Sequence, residues 1–369
     1  MPIAKRYLYQ LKQFITEALY WALVLAIFVI IKFGGTHGAV HPLKLVYALP
    51  GFWQLLLYAV VGGILLGSIL SVIRMYVLSD WLKNKSFGMI IFYETVMSFL
   101  VFIALIMLMV FMNYTSLGYN NMRFSEFVGN YFQLSNVSIL ISFFLLSSAQ
   151  FSLFLQADKK LGLGVLKNLI SGKYYLPKEE DRVFMFLDMK DSTANAETLG
   201  HLRYSRLLQD CYRLLTDLVI EFNAEIYQFV GDEVVITWES TRGFENNNSL
   251  RFFFAFREIL EANRLYFLSN YGLKPEFKAA LHCGKVSVAE VGEFNTQIAY
   301  HGDVVNTTSR IQELCSTYGA QLLASDTYMS QLEQKEVSYK EQAVEIALRG
   351  KQIPINIYNL DTPKRVSIS

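Results

Sequence analysis

The sequence predicts a multi-pass α-helical membrane domain followed by an α+β domain of ferredoxin-like type, and three observations carry that prediction. Apolar residues make up 53% of the 369-residue chain and charged residues 18%, a balance too oily for an average soluble protein. The oil lies before about residue 156, in four runs long enough to cross a bilayer, which takes roughly 20 apolar residues each. After that point charges become frequent, and strand-like and helix-like patterns alternate.

The four runs cover approximately 14–32, 52–73, 88–112 and 135–155. The first has too long an apolar stretch, and no clean small-residue cleavage site, for a signal peptide. Lys5, Arg6 and Lys12 precede the first run, Arg74, Lys83 and Lys85 follow the second, and Lys159, Lys160, Lys167 and Lys173 follow the fourth. The other two loops hold only Lys32, Lys44 and Arg123. That asymmetry places both termini, and everything after the fourth run, on the cytoplasmic side of the cell (inner) membrane, with lipid as a partner. Gly63 and Gly67, extended by Ser71, form a small-residue stripe that lets helix backbones approach closely, inside one bundle in preference to a dimer seam. Glu94 is an ionisable residue inside the third run, read either as functional or as snorkelling to the nearby interface. A net charge of +1 gives no reason to expect nucleic acid. Cys211, Cys283 and Cys315, unevenly spaced and without a CxxC pair, read as reduced thiols and not as a disulfide set or zinc site.

The expected organisation is a transmembrane domain over 1–155, a coupling linker over 156–181, a second domain over 182–360 and a tail over 361–369. In the linker, LGLGVLKNLISG has roughly helical spacing and Tyr174-Tyr175-Leu176-Pro177 breaks it. A strand over Arg182–Leu187 ends in Asp188, and a helix over about 195–222 follows, with Leu202, Leu207, Leu208, Tyr212, Leu215 and Leu218 at helical intervals. Next come a hairpin over 226–238, a helix over about 249–268, two strands (276–282 and 285–291) flanking Cys283-Gly284, a helix over about 303–316, and strands at Gln321–Ala324 and Ile353–Asn359. Strands that alternate singly and in hairpins with helices suggest a ferredoxin-like sandwich, not a doubly wound parallel sheet.

Three local patterns carry chemistry. FLDMKDST, 186–193, ends a buried-looking strand in Asp188. IYQFVGDEVVITW, 226–238, flanks Gly231-Asp232-Glu233 with β-branched and aromatic residues, so Asp232 is either an ordinary turn residue or a carboxylate held out to bind a cation. HGDVVNTTSRI, 301–311, sets Asn306 and Arg310 four apart, on one face of a helix. Asp191 suits a helix N-cap, and Glu233 reads as a solvated turn residue.

In this order and spacing the three patterns resemble the catalytic domain of class III adenylyl/guanylyl cyclases, over roughly 180–360. The resemblance implies an enzyme that joins the ribose 3′-hydroxyl of a nucleoside triphosphate to its own α-phosphate and expels pyrophosphate. It implies two divalent cations, Mg²⁺ or Mn²⁺, held by Asp188, Asp232 and the Met189 carbonyl, since hard ions take oxygen donors. Backbone N–H groups of Lys190, Asp191, Ser192 and Thr193 would cradle phosphate oxygens at a helix start. Asn306 would orient the ribose, Arg310 would stabilise the charged α-phosphate, and Lys351 stands where the family has a phosphate-binding lysine. Because the family builds each site from two subunits, the resemblance also implies a homodimer.

The base-reading positions depart from the family pattern. They hold Gln228, where adenylyl cyclases commonly have Lys, and Ala299, where they have Asp or Thr. A Gln amide both donates and accepts, so it suits adenine and, flipped, guanine; Ala299 leaves the remaining reading to Tyr300, a backbone group or water. ATP is the expected substrate, with a guanylate cyclase or a non-catalytic nucleotide-binding signalling module as alternatives. A diguanylate cyclase would need Gly-Gly-Asp/Glu-Glu-Phe where Val230-Gly231-Asp232-Glu233-Val234 stands.

Overall fold

The computed structural model describes residues 2–35, 52–82, 85–116, 123–133, 137–162, 165–293, 296–332, 339–346 and 354–360. The chain divides after Leu161 into two compact units.

The first unit is helical: α1 (Pro2–Gly35), α2 (Phe52–Ile73), a π-helical turn at Arg74–Leu78, α3 (Ser79–Leu82), α4 (Phe87–Ser116), α5 (Phe124–Gln133) and α6 (Val137–Leu161). Four segments are long and apolar enough to cross a membrane: Gln10–Lys32, Phe52–Leu78, Phe87–Met112 and Ile139–Leu161. Trp21, Phe144 and Phe102 stack through its centre, with ring centroids 4.7 and 3.9 Å apart. The small-residue stripe of α2 is used inside the unit. A Cβ built on Gly63 lies 2.5 Å from the Ala22 Cα, and one on Gly67 lies 2.6 Å from the Ala18 Cα, so α1 and α2 touch backbone to backbone.

About two turns beyond Gly67, at the start of the π-helical turn, Arg74 meets two acids. Its guanidinium lies 2.8 Å from Glu17 of α1 and 3.4 Å from Glu94 of α4. Ser152 and Gln156 of α6 also donate to Glu94. Glu94 is 3% exposed and is held in a polar cluster with Glu17 of α1, Arg74 of the π-helical turn, and Ser152 and Gln156 of α6. The amphipathic α5 lies in a loop for which the sequence suggested no element.

In the second unit, α7 (Val165–Ile170) precedes β1 (Lys178–Met189), α8 (Ser192–Glu221), β2 (Glu225–Val230), β3 (Glu233–Glu239), α9 (Ser240–Phe244), α10 (Asn248–Ala262), α11 (Arg264–Tyr271) and β4 (Phe277–Val291). Then follow β5 (Gln297–His301), α12 (Asp303–Thr317), β6 (Leu322–Ser325), α13 (Asp326–Met329), β7 (Tyr339–Ile346) and β8 (Ile355–Leu360). The strands form one sheet of order β2-β3-β1-β4-β6-β8-β7, with β5 pairing β4. β1 and β2 both run antiparallel to β3 between them, and β4 runs antiparallel on the other side of β1. This is the split βαβ arrangement of the ferredoxin-like fold.

The pleat sorts β1 into two faces. Val183, Met185 and Leu187 pack against Leu207, Cys211, Leu215 and Leu218 of α8 and the phenylalanines of α10. Phe184 and Phe186 lie on the other face with Val286, Tyr300 and Val304. On that second face Ile311 and Cys315 of α12 also cover Ala280 and Leu323. α8 and α10 therefore lie against one side of the sheet, joined there by Phe267 of α11 and Tyr328 of α13, and α12 lies against the other.

The sheet corrects several expectations. The stretch around Cys283-Gly284 is no turn: β4 runs through it as one strand, paired with β1 from Lys178↔Val288 to Met189↔Phe277. The glycine is there for clearance, because a Cβ on Gly284 would lie 2.9 Å from Val304 of α12. The helix expected over 249–268 is two helices that meet at Asn263. The strand expected from 182 begins at Lys178, and β5 and β7 answer to no strand read from the sequence.

Candidate active site

The site begins with the β1 terminus and the β2–β3 turn. Gly231-Asp232 is a two-residue hairpin loop closed by the pair Val230↔Glu233. Gly231 takes φ 62°, the left-handed conformation such turns demand and glycine adopts without a steric penalty. The Met189 N–H donates to the Asp232 carbonyl at 3.3 Å, tying this turn to the end of β1. Asp188 and Asp232 thereby come within hydrogen-bonding reach of one another.

Asp188 pairs across the sheet with Glu233 on β3 and with Lys278 on β4, and directly opposed residues project to the same face. Lys278 Nζ lies 3.2 Å from Asp188 Oδ2, and Gln312 Nε2, from α12, donates to the same oxygen at 3.0 Å. Burial, and next the Asp232 charge, push the Asp188 carboxyl above the usual carboxylate range, against the pull of Lys278. Glu233 is half-buried, not the solvated turn residue expected, and burial followed by the Asp188 and Asp232 charges pushes it up to about 7. Carboxylates crowded this way resist ionisation together, and a cation relieves them. Among the described residues no group of three or more acidic, His or Cys side chains is placed to hold one ion. A pair suits Mg²⁺, which takes one or two carboxylates and completes its shell with water and substrate phosphate.

The helix-start residues behave unequally. The Lys190 N–H already donates to the Glu276 carbonyl at 2.8 Å, and its ammonium sits 3.5 Å from the Glu276 carboxylate. Asp191 occupies the N-cap of α8 with φ 55° but makes no side-chain cap bond, so the capping expected of it is absent. Ser192 and Thr193 open the first turn of α8, where backbone donors lack intrahelical partners.

α12 carries Asn306, exposed, and Arg310, half-buried. At about 100° per residue these two lie about 40° apart, while Gln312 lies about 160° round from Arg310. Since Gln312 faces Asp188 of its own chain, Asn306 and Arg310 are turned away from it. One chain therefore does not bring its acid pair and its Asn–Arg pair together. Gln228 is exposed on β2, beside a bulge that shifts register between Ile226 and Gln228. Ala299 is half-buried on β5 opposite Ala289. Tyr300 is spent elsewhere: it is buried, its ring lies 5.2 Å from the Arg182 guanidinium, and its hydroxyl donates to Glu225 at 3.4 Å. It is not free to read a base. Lys351 lies outside the described residues.

Sequence reasoning missed Glu233, Lys278 and Gln312 as neighbours of Asp188. Strand alternation from Val234 would have put Glu233 on the Asp188 face, but Lys278 and Gln312 needed the register and the helix placement.

A ferredoxin-like sheet whose neighbouring strand tips converge two aspartates, with an Asn–Arg helix on its second face, has the architecture of a nucleotide cyclase catalytic domain. The family described as Adenylate and Guanylate cyclase catalytic domain matches residues 175–362, just over half of the sequence. The chain belongs to that family. Adenylate cyclase 2 of Rhizobium meliloti (strain 1021) is 32% identical over 227 residues, covering 62% of each protein. Adenylate cyclase 1 of the same organism is 29% identical over 183 residues, 48% of this chain and 27% of its own. The chain thus spans less than two thirds of either relative. A solved bacterial light-regulated adenylyl cyclase superposes with a TM-score of 0.52 at 16% identity, covering 63% of this chain and 67% of that one, a likeness of fold.

Proposed function

We propose that this protein is a membrane-embedded adenylate cyclase that converts ATP into 3′,5′-cyclic AMP and pyrophosphate at two equivalent sites shared by a homodimer. Residues 1–155 would form the transmembrane part, 156–181 the connector and 182–360 the catalytic part, with the catalytic part and both termini cytoplasmic. The observation that carries the reading is the meeting of Asp188 and Asp232 at adjoining strand ends, while Asn306 and Arg310 of the same chain face away.

Asp188, Asp232 and the Met189 carbonyl would hold two divalent cations, Mg²⁺ or Mn²⁺. Bound there, such ions lower the pKa of the ribose 3′-hydroxyl and neutralise the departing pyrophosphate. The chain's own groups do the rest. The amides of Asp191–Thr193 receive phosphate oxygens at the start of α8. Asn306 of the second copy orients the ribose, so that the 3′-oxygen lies in line with the α-phosphorus. Arg310 of that copy stabilises the charge that builds as the new P–O bond forms and the bond to the β-phosphate oxygen breaks. Gln228 meets the base edge with one donor and one acceptor, beside Ala299, and Lys351 contributes a further phosphate contact.

Both curated relatives are named adenylate cyclases, which favours ATP, whereas the amide of Gln228 leaves guanine chemically open. Purified full-length protein in detergent, given ATP or GTP with Mn²⁺ and its products identified by mass, tests the reading. Cyclic AMP with pyrophosphate supports it; faster GTP turnover overturns the substrate, and no cyclic product from either overturns the activity.

A further inference from the structure

Resting on the reading of Asp188 as a cation ligand, we propose that Gln312 is a positioning residue that fixes which oxygen of Asp188 meets the cation. Asp188 Oδ2 is saturated from two directions: Gln312 Nε2 donates at 3.0 Å from α12, and Lys278 Nζ stands at 3.2 Å from β4. Lys278 is itself oriented, donating to Ser316 Oγ at 3.0 Å one turn further along α12. Neither contact takes Oδ1, the oxygen that the proposal leaves to the cation.

The Gln312 amide is the donor with no charge of its own. Lys278 attracts the carboxylate as a whole and would donate to either oxygen, so Lys278 alone permits Asp188 to swing toward β4. A neutral, buried amide (Gln312 is 5% exposed) holds one oxygen by direction and does not compete electrostatically with a divalent ion. Groups hydrogen-bonded to a ligating carboxylate set its orientation, and their loss typically costs about 10–100-fold in metal affinity. Gln312 also sits on the helix that presents Asn306 and Arg310 on its far side. Each α12 therefore serves its own chain's acid pair with one face and carries the Asn–Arg pair on the other.

The test is direct Mn²⁺ binding to the full-length protein in detergent, read as loss of the free aqueous Mn²⁺ EPR signal in the presence of 3′-deoxy-ATP, which lacks the attacking hydroxyl. Gln312→Met keeps the size of the side chain and removes the donor. Gln312→Asn keeps the polarity and withdraws the amide by one methylene, should Met upset folding. Both variants are expected to bind Mn²⁺ about tenfold more weakly, with a metal-free melting temperature within a few degrees of the parent. Mn²⁺ binding within twofold of the parent in a folded variant overturns the inference, as does a loss of binding fully accounted for by unfolding. Asp188→Asn separates the two levels. If it binds Mn²⁺ like the parent, the reading of the site itself fails; if it loses Mn²⁺ while the Gln312 variants do not, only the positioning role fails.

Discussion

Asp188→Ala and Arg310→Ala chains should each be nearly inactive and should recover activity when mixed. The basis is the roughly 160° that separates Gln312 from Arg310 on α12, with Gln312 bonded to Asp188 of its own chain. On the proposed reading, Arg310 serves the Asp188 of a second copy. Removing a charge-stabilising donor of this kind costs about 10²–10³ in rate, so each variant alone falls to background. In a random one-to-one mixture about half of the dimers are mixed. Each mixed dimer has one doubly damaged site and one intact site, which takes Asp188 from the Arg310→Ala chain and Arg310 from the Asp188→Ala chain. Half of the dimers with one working site of two gives about a quarter of the parental rate. The assay is cyclic nucleotide formation in membranes from cells producing both chains under different affinity tags, with mixed dimers counted by sequential purification. Mixed dimers present at about half of the total, with no activity above either single variant, would refute the shared site.

Three further outcomes follow from the packing and the ion pairs. Gly67→Ala should destabilise the helical unit relative to Gly62→Ala by about 1–3 kcal/mol, the usual penalty for overpacking. The Gly67 Cβ meets Ala18 backbone at 2.6 Å and the Gly62 Cβ meets nothing within 4 Å, and comparing the two cancels the gain in helix propensity; unfolding in SDS measures it, and equal stabilities would sink the α1–α2 packing. Arg182, 1% exposed and bonded to Glu180 and Glu225 at 2.7 and 2.9 Å, should cost about 2–4 kcal/mol on Arg182→Met, below the full penalty for orphaning a buried ion because Glu225 is 35% exposed; thermal unfolding reads it, and a variant as stable as the parent would contradict it. Burial pushes the Cys283 and Cys315 thiols up to about 12, so at pH 8 they stay protonated and unreactive; both should resist iodoacetamide until denaturant is added, and rapid labelling of the folded protein would show them exposed.

The acid pair was legible because each aspartate carries a local signature, a buried strand that ends in Asp188 and a Gly-Asp turn inside a β-rich ribbon at 231–232. The Asn306–Arg310 face was legible because helical spacing is a local property. What the sequence hid depends on contacts between distant segments. Cys283-Gly284 looks like a turn because glycine breaks a strand pattern, yet the glycine answers to Val304 on α12. Tyr300 looked available beside Ala299, but strand alternation turns it inward onto Arg182 and Glu225. The Lys190 amide looked like a phosphate donor until β4 brought the Glu276 carbonyl beside it. Lys278 and Gln312 became neighbours of Asp188 only through a strand register and a helix packing that no single segment encodes. In the helical unit, the small-residue stripe was visible, but its partner surface, Ala18 and Ala22, was not.

The most direct test of the central claim is to see the ion itself. Crystals of the full-length protein grown with Mn²⁺ and 3′-deoxy-ATP, measured at the manganese absorption edge, should show anomalous density within about 2.2 Å of carboxylate oxygens from both Asp188 and Asp232. Manganese bound to only one of these residues, or lodged away from the β1 end and the β2–β3 turn, would contradict the account.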